Sequence, residues 1–132
     1  MRALIIDDDP LIRLYLEEVL SPHASTITAA SGAEGLDEFA RAIGEKNPFD
    51  AVLMDICMPG MDGHQTLQKL RTMEREAGIR TDSGTPVVMV SASDDTRNVN
   101  RAFFQGGAMS FLTKPVSPDA LVDELRKFGL ID

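Results

Sequence analysis

Cysteine is almost missing from this chain. Cys57 is the only one in 132 residues, so no internal disulfide can form and a reducing compartment fits. Positive charge is also scarce. There are 13 Lys and Arg against 21 Asp and Glu, a net charge of −8. That balance argues against direct nucleic-acid binding, which depends on Lys and Arg neutralising phosphates. Long hydrophobic runs are missing too. The opening Ala3-Leu4-Ile5-Ile6 meets acids at Asp7, too soon for a signal peptide or a membrane span, and a cytoplasmic location is the expectation. There is no internal repeat, low-complexity tract or linker, and the length suits one domain over residues 1–132. With 43% hydrophobic residues, such a domain can bury a real core. No effector segment follows Asp132, so the expectation is a stand-alone domain or a piece of a longer protein.

What is present centres on Ala51-Val52-Leu53-Met54-Asp55. Four consecutive apolar residues read as a strand buried on both faces. A carboxylate sits where the strand runs out, and the loop Ile56-Cys57-Met58-Pro59-Gly60-Met61-Asp62-Gly63 stops it from continuing. In open parallel sheets ligands bind at the carboxyl ends of the strands, which makes Asp55 the first candidate for chemistry.

The rest of the chain alternates. Leu4-Ile5-Ile6 is a strand ending at Asp7-Asp8-Asp9; Asp9 reads as a helix N-cap and Pro10 as the first helical residue. Ile12, Tyr15, Leu16, Val19 and Leu20 then form an apolar helical stripe. Residues 25–29 read as a half-polar edge strand. Ser31 and Glu34 suggest a capping box before a second helix with Ala33, Leu36, Phe39, Ala40 and Ile43 on one side, and residues 44–50 read as a turn. A third helix carries Leu67, Leu70, Met73 and Ala77, followed by a polar, Gly-rich connector over 78–85 that reads as mobile. Val87-Val88-Met89-Val90 is a strand ending in Ser91. A helix opens near Asp94 or Asp95 with Val99, Ala102 and Phe103 inward, and Gly106-Gly107 stops it. Ser110-Phe111-Leu112 is the last strand, followed by Thr113-Lys114-Pro115. Ser117-Pro118 starts a final helix with Leu121, Val122, Leu125 and Phe128 inward. Five strands alternating with five helices predict an α/β sheet with helices on both faces.

In a parallel sheet the strand ends share one edge, so Asp7, Asp8, Asp55, Ser91 and Lys114 should converge. Carboxylates placed together repel: two unit charges about 4 Å apart cost roughly 4 kcal/mol at the effective dielectric of a protein surface. A hard divalent cation would relieve that repulsion, and Mg²⁺ is held by one or two carboxylates with waters and a phosphate. Lys114 would neutralise a phosphoryl oxygen and Ser91 would donate to another. These are the parts phosphoryl transfer needs, with Asp55 able to act as nucleophile.

At these residues the chain resembles the receiver (response-regulator) domain of two-component signalling, across essentially its whole length. The resemblance rests on Ile5-Ile6-Asp7-Asp8-Asp9, Met54-Asp55 through Gly63, Val90-Ser91-Ala92 and Leu112-Thr113-Lys114-Pro115. It implies a flavodoxin-like doubly wound sheet in the order 2-1-3-4-5. It also implies a Mg²⁺-dependent aspartyl phosphate on Asp55, supplied by a sensor histidine kinase or phosphotransfer protein. Asp8, Asp55 and the Cys57 backbone carbonyl would hold the ion, with Asp7 assisting through water. Lys114 would pair with the phosphoryl group, Ser91 would move toward it, and Phe111 would turn inward behind. The changed surface, on the fourth helix, fifth strand and fifth helix, would engage an output domain or partner, as a monomer or a phosphorylation-dependent dimer. Such a domain is no enzyme beyond its own phosphorylation and dephosphorylation. A cis Lys114–Pro115 bond is implied by the resemblance, whereas sequence alone favours trans.

Two rivals stay open at this point. One is a Mg²⁺-dependent phosphatase of the haloacid-dehalogenase type, with Asp7 as nucleophile and Asp9 as acid/base. The other is a receiver-like interaction module that never gains phosphate. Among the blander assignments, Asp62 reads as a turn-former, Cys57 as a small loop residue, and His23 and His64 as exposed.

Overall fold

The apolar runs pair as strands. The computed structural model describes residues 1–80, 83–92 and 110–131. Within them lie β1 (Arg2–Ile6), β2 (Ser25–Ala29), β3 (Ala51–Asp55), β4 (Val87–Ser91) and β5 (Ser110–Thr113). All pairings are parallel, in the order β2-β1-β3-β4-β5. The half-polar β2 takes an edge, where only one neighbour needs its hydrogen bonds. β3 lies at the centre of the sheet, with all five residues buried. The register Ile6↔Met54, Asp55↔Val90 and Ser91↔Thr113 brings four strand ends level at one edge.

The described helices are α1 (Pro10–Leu20), α2 (Gly32–Gly44), α3 (Gly63–Glu76) and α4 (Pro118–Lys127). The helix predicted to open near Asp94 or Asp95 lies outside the described residues. Asp9 caps α1, its carboxylate accepting from the Leu11 amide at 2.9 Å, and Pro10 is the first helical residue. Ser117 caps α4, followed by Pro118. Each cap satisfies a donor that the helix itself leaves unpaired. The Ser31 hydroxyl accepts from the Glu34 amide. The full reciprocal box forms instead between Asp62 and Gln65 at the start of α3, so Asp62 is a cap rather than a turn residue.

Two apolar layers cover the sheet. Ile6, Leu36, Phe39, Met54, Leu67, Leu70 and Met89 share one face with α2 and α3. Ile5, Leu16, Leu20, Leu53, Val90, Leu121 and Leu125 share the other with α1 and α4. Two helical stripes are displaced from expectation. On α2 the buried residues are Gly32, Gly35, Leu36, Phe39 and Ala42, while Ala33 and Ala40 are exposed, because small residues let α2 approach the sheet closely. On α3, Ala77 is the exposed C-cap and Glu74 is buried. Its carboxylate is held by Arg71 at 2.7 Å and by the Thr85 amide at 2.7 Å, the pairing a buried charge requires. That clasp fastens the far end of the connector read as mobile. His64, expected to be exposed, is buried, since it follows Gly63 into the turn of α3 that packs on the end of β3.

Gly63 is where that packing is tightest. A Cβ there would fall on the Asp55 carbonyl oxygen and 2.7 Å from the Ile56 Cα, and neither backbone atom can step aside. Gly63→Ala is therefore expected to cost about 2 kcal/mol of stability by overpacking. Urea denaturation should show a lower midpoint with an unchanged slope.

Candidate functional site

Asp7 follows β1 directly. Its amide donates to the Ala29 carbonyl at 3.1 Å, and its Oδ1 accepts from the Asp9 amide at 2.9 Å. Those bonds fix its carboxylate at the sheet edge, where it is buried. Asp8, next in the chain, is exposed. Asp55 ends β3, also buried, and its Oδ1 accepts from the Cys57 amide at 3.3 Å. One carboxylate oxygen from each of Asp7, Asp8 and Asp55 lies within 4.8 Å of the other two. Three hard oxygen donors at that spacing fit Mg²⁺. Thus the three acids gather as expected. Asp9, the acid/base of the phosphatase reading, is spent on capping α1.

Lys114 arrives from β5. Its amide donates to the Ser91 carbonyl at 2.7 Å, fastening the ends of β4 and β5 together. Its ammonium stands 2.9 Å from Asp7 Oδ2 and 3.5 Å from Asp55 Oδ1. The Lys114–Pro115 bond is cis. Ser91 is fully buried, its hydroxyl 3.7 Å from the Cys57 thiol. Cys57 itself is exposed. Phe111 is partly buried against the layer shared by α2 and α3.

The electrostatics follow from this crowding. Burial, then the Asp7 charge, pushes the Asp55 carboxyl from 3.8 up to about 6, despite the opposing pull of Lys114 and the Cys57 amide. Burial alone would depress the Lys114 ammonium. Its hydrogen bond to Asp7 and the charge of Asp55 outweigh that, and the net shift is upward. The site is therefore short of positive charge, and a divalent cation or a protonation would relieve it.

Sequence reasoning missed two participants. The Arg13 guanidinium donates to the Asp7 carbonyl at 2.7 Å. The Tyr15 hydroxyl donates to the Val116 carbonyl at 2.6 Å, so Tyr15 is an exposed link rather than part of the buried stripe. Arg13 stands one turn beyond the cap Asp9, a spacing that turns it back over the sheet edge. Nothing in the sequence pairs residue 15 with residue 116.

A doubly wound parallel sheet with three acids and a lysine at its carboxyl edge defines a class of α/β domain with a charged cluster at that edge. Comparison with known proteins narrows the class. Residues 3–126 match the family described as response regulator receiver domain, and the chain belongs to that family. It is 39% identical over 98% of its length to the sensory/regulatory protein RpfC of Xanthomonas campestris, of which it spans 17%. It is 34% identical over 95% of its length to the DNA-binding response regulator MtrA of Mycolicibacterium smegmatis, of which it spans 49%. The chain thus covers about half or less of these relatives. The chemotaxis protein CheY4 of Vibrio cholerae superposes with a TM-score of 0.78 at 26% identity, covering 96% of each chain. The receiver domain of the histidine kinase CKI1 from Arabidopsis thaliana, solved with Mg²⁺ and BeF3⁻, superposes with a TM-score of 0.78 at 26% identity, covering 96% of this chain and 89% of that one. This chain is a receiver domain of two-component systems, a signalling domain rather than a classical enzyme. Among the described residues no helix is long and apolar enough to cross a membrane.

Proposed function

We propose that Asp55 accepts a phosphoryl group from the phosphohistidine of a sensor kinase or phosphotransfer protein. A receiver domain spanning residues 1–132, in the cytoplasm, then passes the signal on through a changed surface. The observation that carries the reading is Lys114, whose ammonium lies between the carboxylates of Asp7 and Asp55 at 2.9 and 3.5 Å. An Asp55 carboxylate oxygen attacks phosphorus as the bond to the donor nitrogen breaks, and the released imidazole takes a proton. Near pH 7 most of Asp55 is ionised, as attack requires. Lys114 balances one phosphoryl oxygen, and Ser91 donates to another. Asp7, Asp8, Asp55 and the Cys57 carbonyl would hold Mg²⁺, which when bound supplies the positive charge that the acids and the transferring oxygens lack. CKI1, solved with Mg²⁺ and BeF3⁻, supports Mg²⁺ as the ion this domain takes.

The switch follows from burial. Ser91, buried with its hydroxyl beside the Cys57 thiol, would move toward a phosphoryl oxygen. That shift opens room toward which the partly buried Phe111 turns. Contacts made only by the phosphorylated state bias the two arrangements. The predicted helix between β4 and β5, together with β5 and α4, would meet the output domain or partner, as a monomer or a phosphorylation-dependent dimer. The net charge of −8 leaves any nucleic-acid binding to such a partner.

Incubation with acetyl phosphate and Mg²⁺, followed by intact-mass spectrometry, tests this directly. The protein should gain one phosphoryl group, and chelation of Mg²⁺ should stop the gain. Sustained turnover of phosphomonoesters without a labelled protein would instead favour a phosphatase.

A further inference from the structure

Lys114 belongs to a loop that crosses a hollow. The segment after β5 is fastened at its start by the Lys114 amide on the Ser91 carbonyl and at its end by Ser117, which caps α4. Between those points Pro115 has no amide hydrogen to donate. The loop residues Lys114, Pro115 and Val116, together with Ile12, Tyr15, Leu16 and Val90, line an open hollow of about 320 Å³. Val116 packs its side chain into the core layer with Leu16 and Leu121, but side chains facing such a space lack packing partners on that side, so core packing alone holds the rest of the loop weakly. The bond from the Tyr15 hydroxyl to the Val116 carbonyl spans the hollow from α1, across 101 positions of sequence. Its 2.6 Å length is at the short end for an O–H···O bond.

We propose that Tyr15 is a positioning residue for phosphoryl transfer: its hydroxyl holds the 114–116 loop across the hollow, and so sets where the Lys114 ammonium stands relative to Asp55. The inference rests on Asp55 being the phosphoryl acceptor. The geometry leaves little tolerance. The ammonium is already 0.6 Å farther from Asp55 than from Asp7, the difference between 3.5 and 2.9 Å. A loop free to shift across the hollow would weaken the contact that must follow the transferring oxygen, and transfer rates are sensitive to displacements of this order. The hydroxyl touches neither Asp55 nor the phosphoryl donor in this account; it acts through the loop.

Tyr15→Phe removes the hydroxyl and keeps the ring. The rate constant for phosphoryl uptake from acetyl phosphate at saturating Mg²⁺ should fall roughly threefold to tenfold, the range set by one hydrogen bond. The acetyl phosphate concentration giving half the maximal rate should not change, nor should Mg²⁺ affinity measured by NMR titration. Leu14→Ala, one position away on an exposed part of the same helix, should leave the rate untouched. The small donor keeps any protein-docking role of α1 out of the measurement. Equal rates for wild type and Tyr15→Phe would overturn the proposal, whatever happens to thermal stability. So would an equal slowing in Leu14→Ala, or a loss of Mg²⁺ affinity as large as the loss of rate, since either marks a general disturbance. Wild type that takes up no phosphoryl group would overturn the acceptor assignment itself, a distinguishable failure.

Discussion

Asp55→Asn should abolish phosphoryl uptake and, in metal-free solution, should make the protein more stable than wild type. The first effect follows because the amide has no anionic oxygen to attack phosphorus. The second comes from the crowding of the site. Asp55 is buried beside Asp7, and its carboxyl stands at about 6 instead of 3.8. A carboxyl raised in the folded state stabilises the fold while protonated, below about 3.8, and loses that contribution as pH rises through about 6. At pH 7 the ionised Asp55 therefore weighs against folding, and removing its charge should return about 1–3 kcal/mol. The gain should shrink below pH 6 and should also shrink with added Mg²⁺, which stabilises only the protein that binds it. Denaturant titrations of both proteins with chelator and with Mg²⁺, at pH 5 and pH 7, check all three parts. A variant that is destabilised at pH 7 in chelator would contradict the electrostatic account.

Lys114→Ala should act in the opposite direction. It strips the ammonium that lies 2.9 Å from Asp7 and 3.5 Å from Asp55, leaving those carboxylates to repel one another without it. Breaking a buried pair by removing one partner is costly, and the partial exposure of Lys114 tempers the loss to about 2 kcal/mol at pH 7. The sign of the pH dependence is fixed by two groups. The Lys114 pKa is raised, so its contribution is fully present at neutral pH and fades only as pH climbs past the ordinary lysine range. On the acid side the loss should narrow as Asp55 takes up its proton near pH 6. Uptake from acetyl phosphate should slow roughly tenfold to a hundredfold, as expected for one charge-assisted hydrogen bond to the transferring group. Lys114→Arg should recover part of the stability, since the charge returns. It should recover less of the rate, because the planar fork cannot sit where a compact ammonium does.

These effects depend on side chains whose meeting was legible from strand ends. β3 announces itself by four apolar residues and a terminal Asp55, and β1 and β4 do the same before Asp7 and Ser91. Once the sheet is parallel, the polar residues at those ends have to share an edge. The residues that escaped did so for physical reasons. Gly35 and Ala42 bury where Ala33 and Ala40 do not, because small residues carry almost no periodic signal to say which face they take. Glu74 lies outside the apolar stripe of its helix, and only Arg71 and the Thr85 amide around it account for its burial. Phe49 is buried although it sits in a stretch that reads as a turn, with the Arg2 guanidinium 4.4 Å from its ring centroid. The Tyr15–Val116 bond is a long-range meeting that no local pattern records.

Locating the phosphoryl group in the labelled protein tests whether Asp55 is the acceptor. Protein phosphorylated from acetyl phosphate with Mg²⁺ is reduced with borohydride, which converts the acyl phosphate carbon to an alcohol, then digested and mapped by mass spectrometry. A single reduced position is expected, at residue 55. Reduction at Asp7 or Asp8, or phosphate retained on a serine or histidine with residue 55 unaltered, would contradict it.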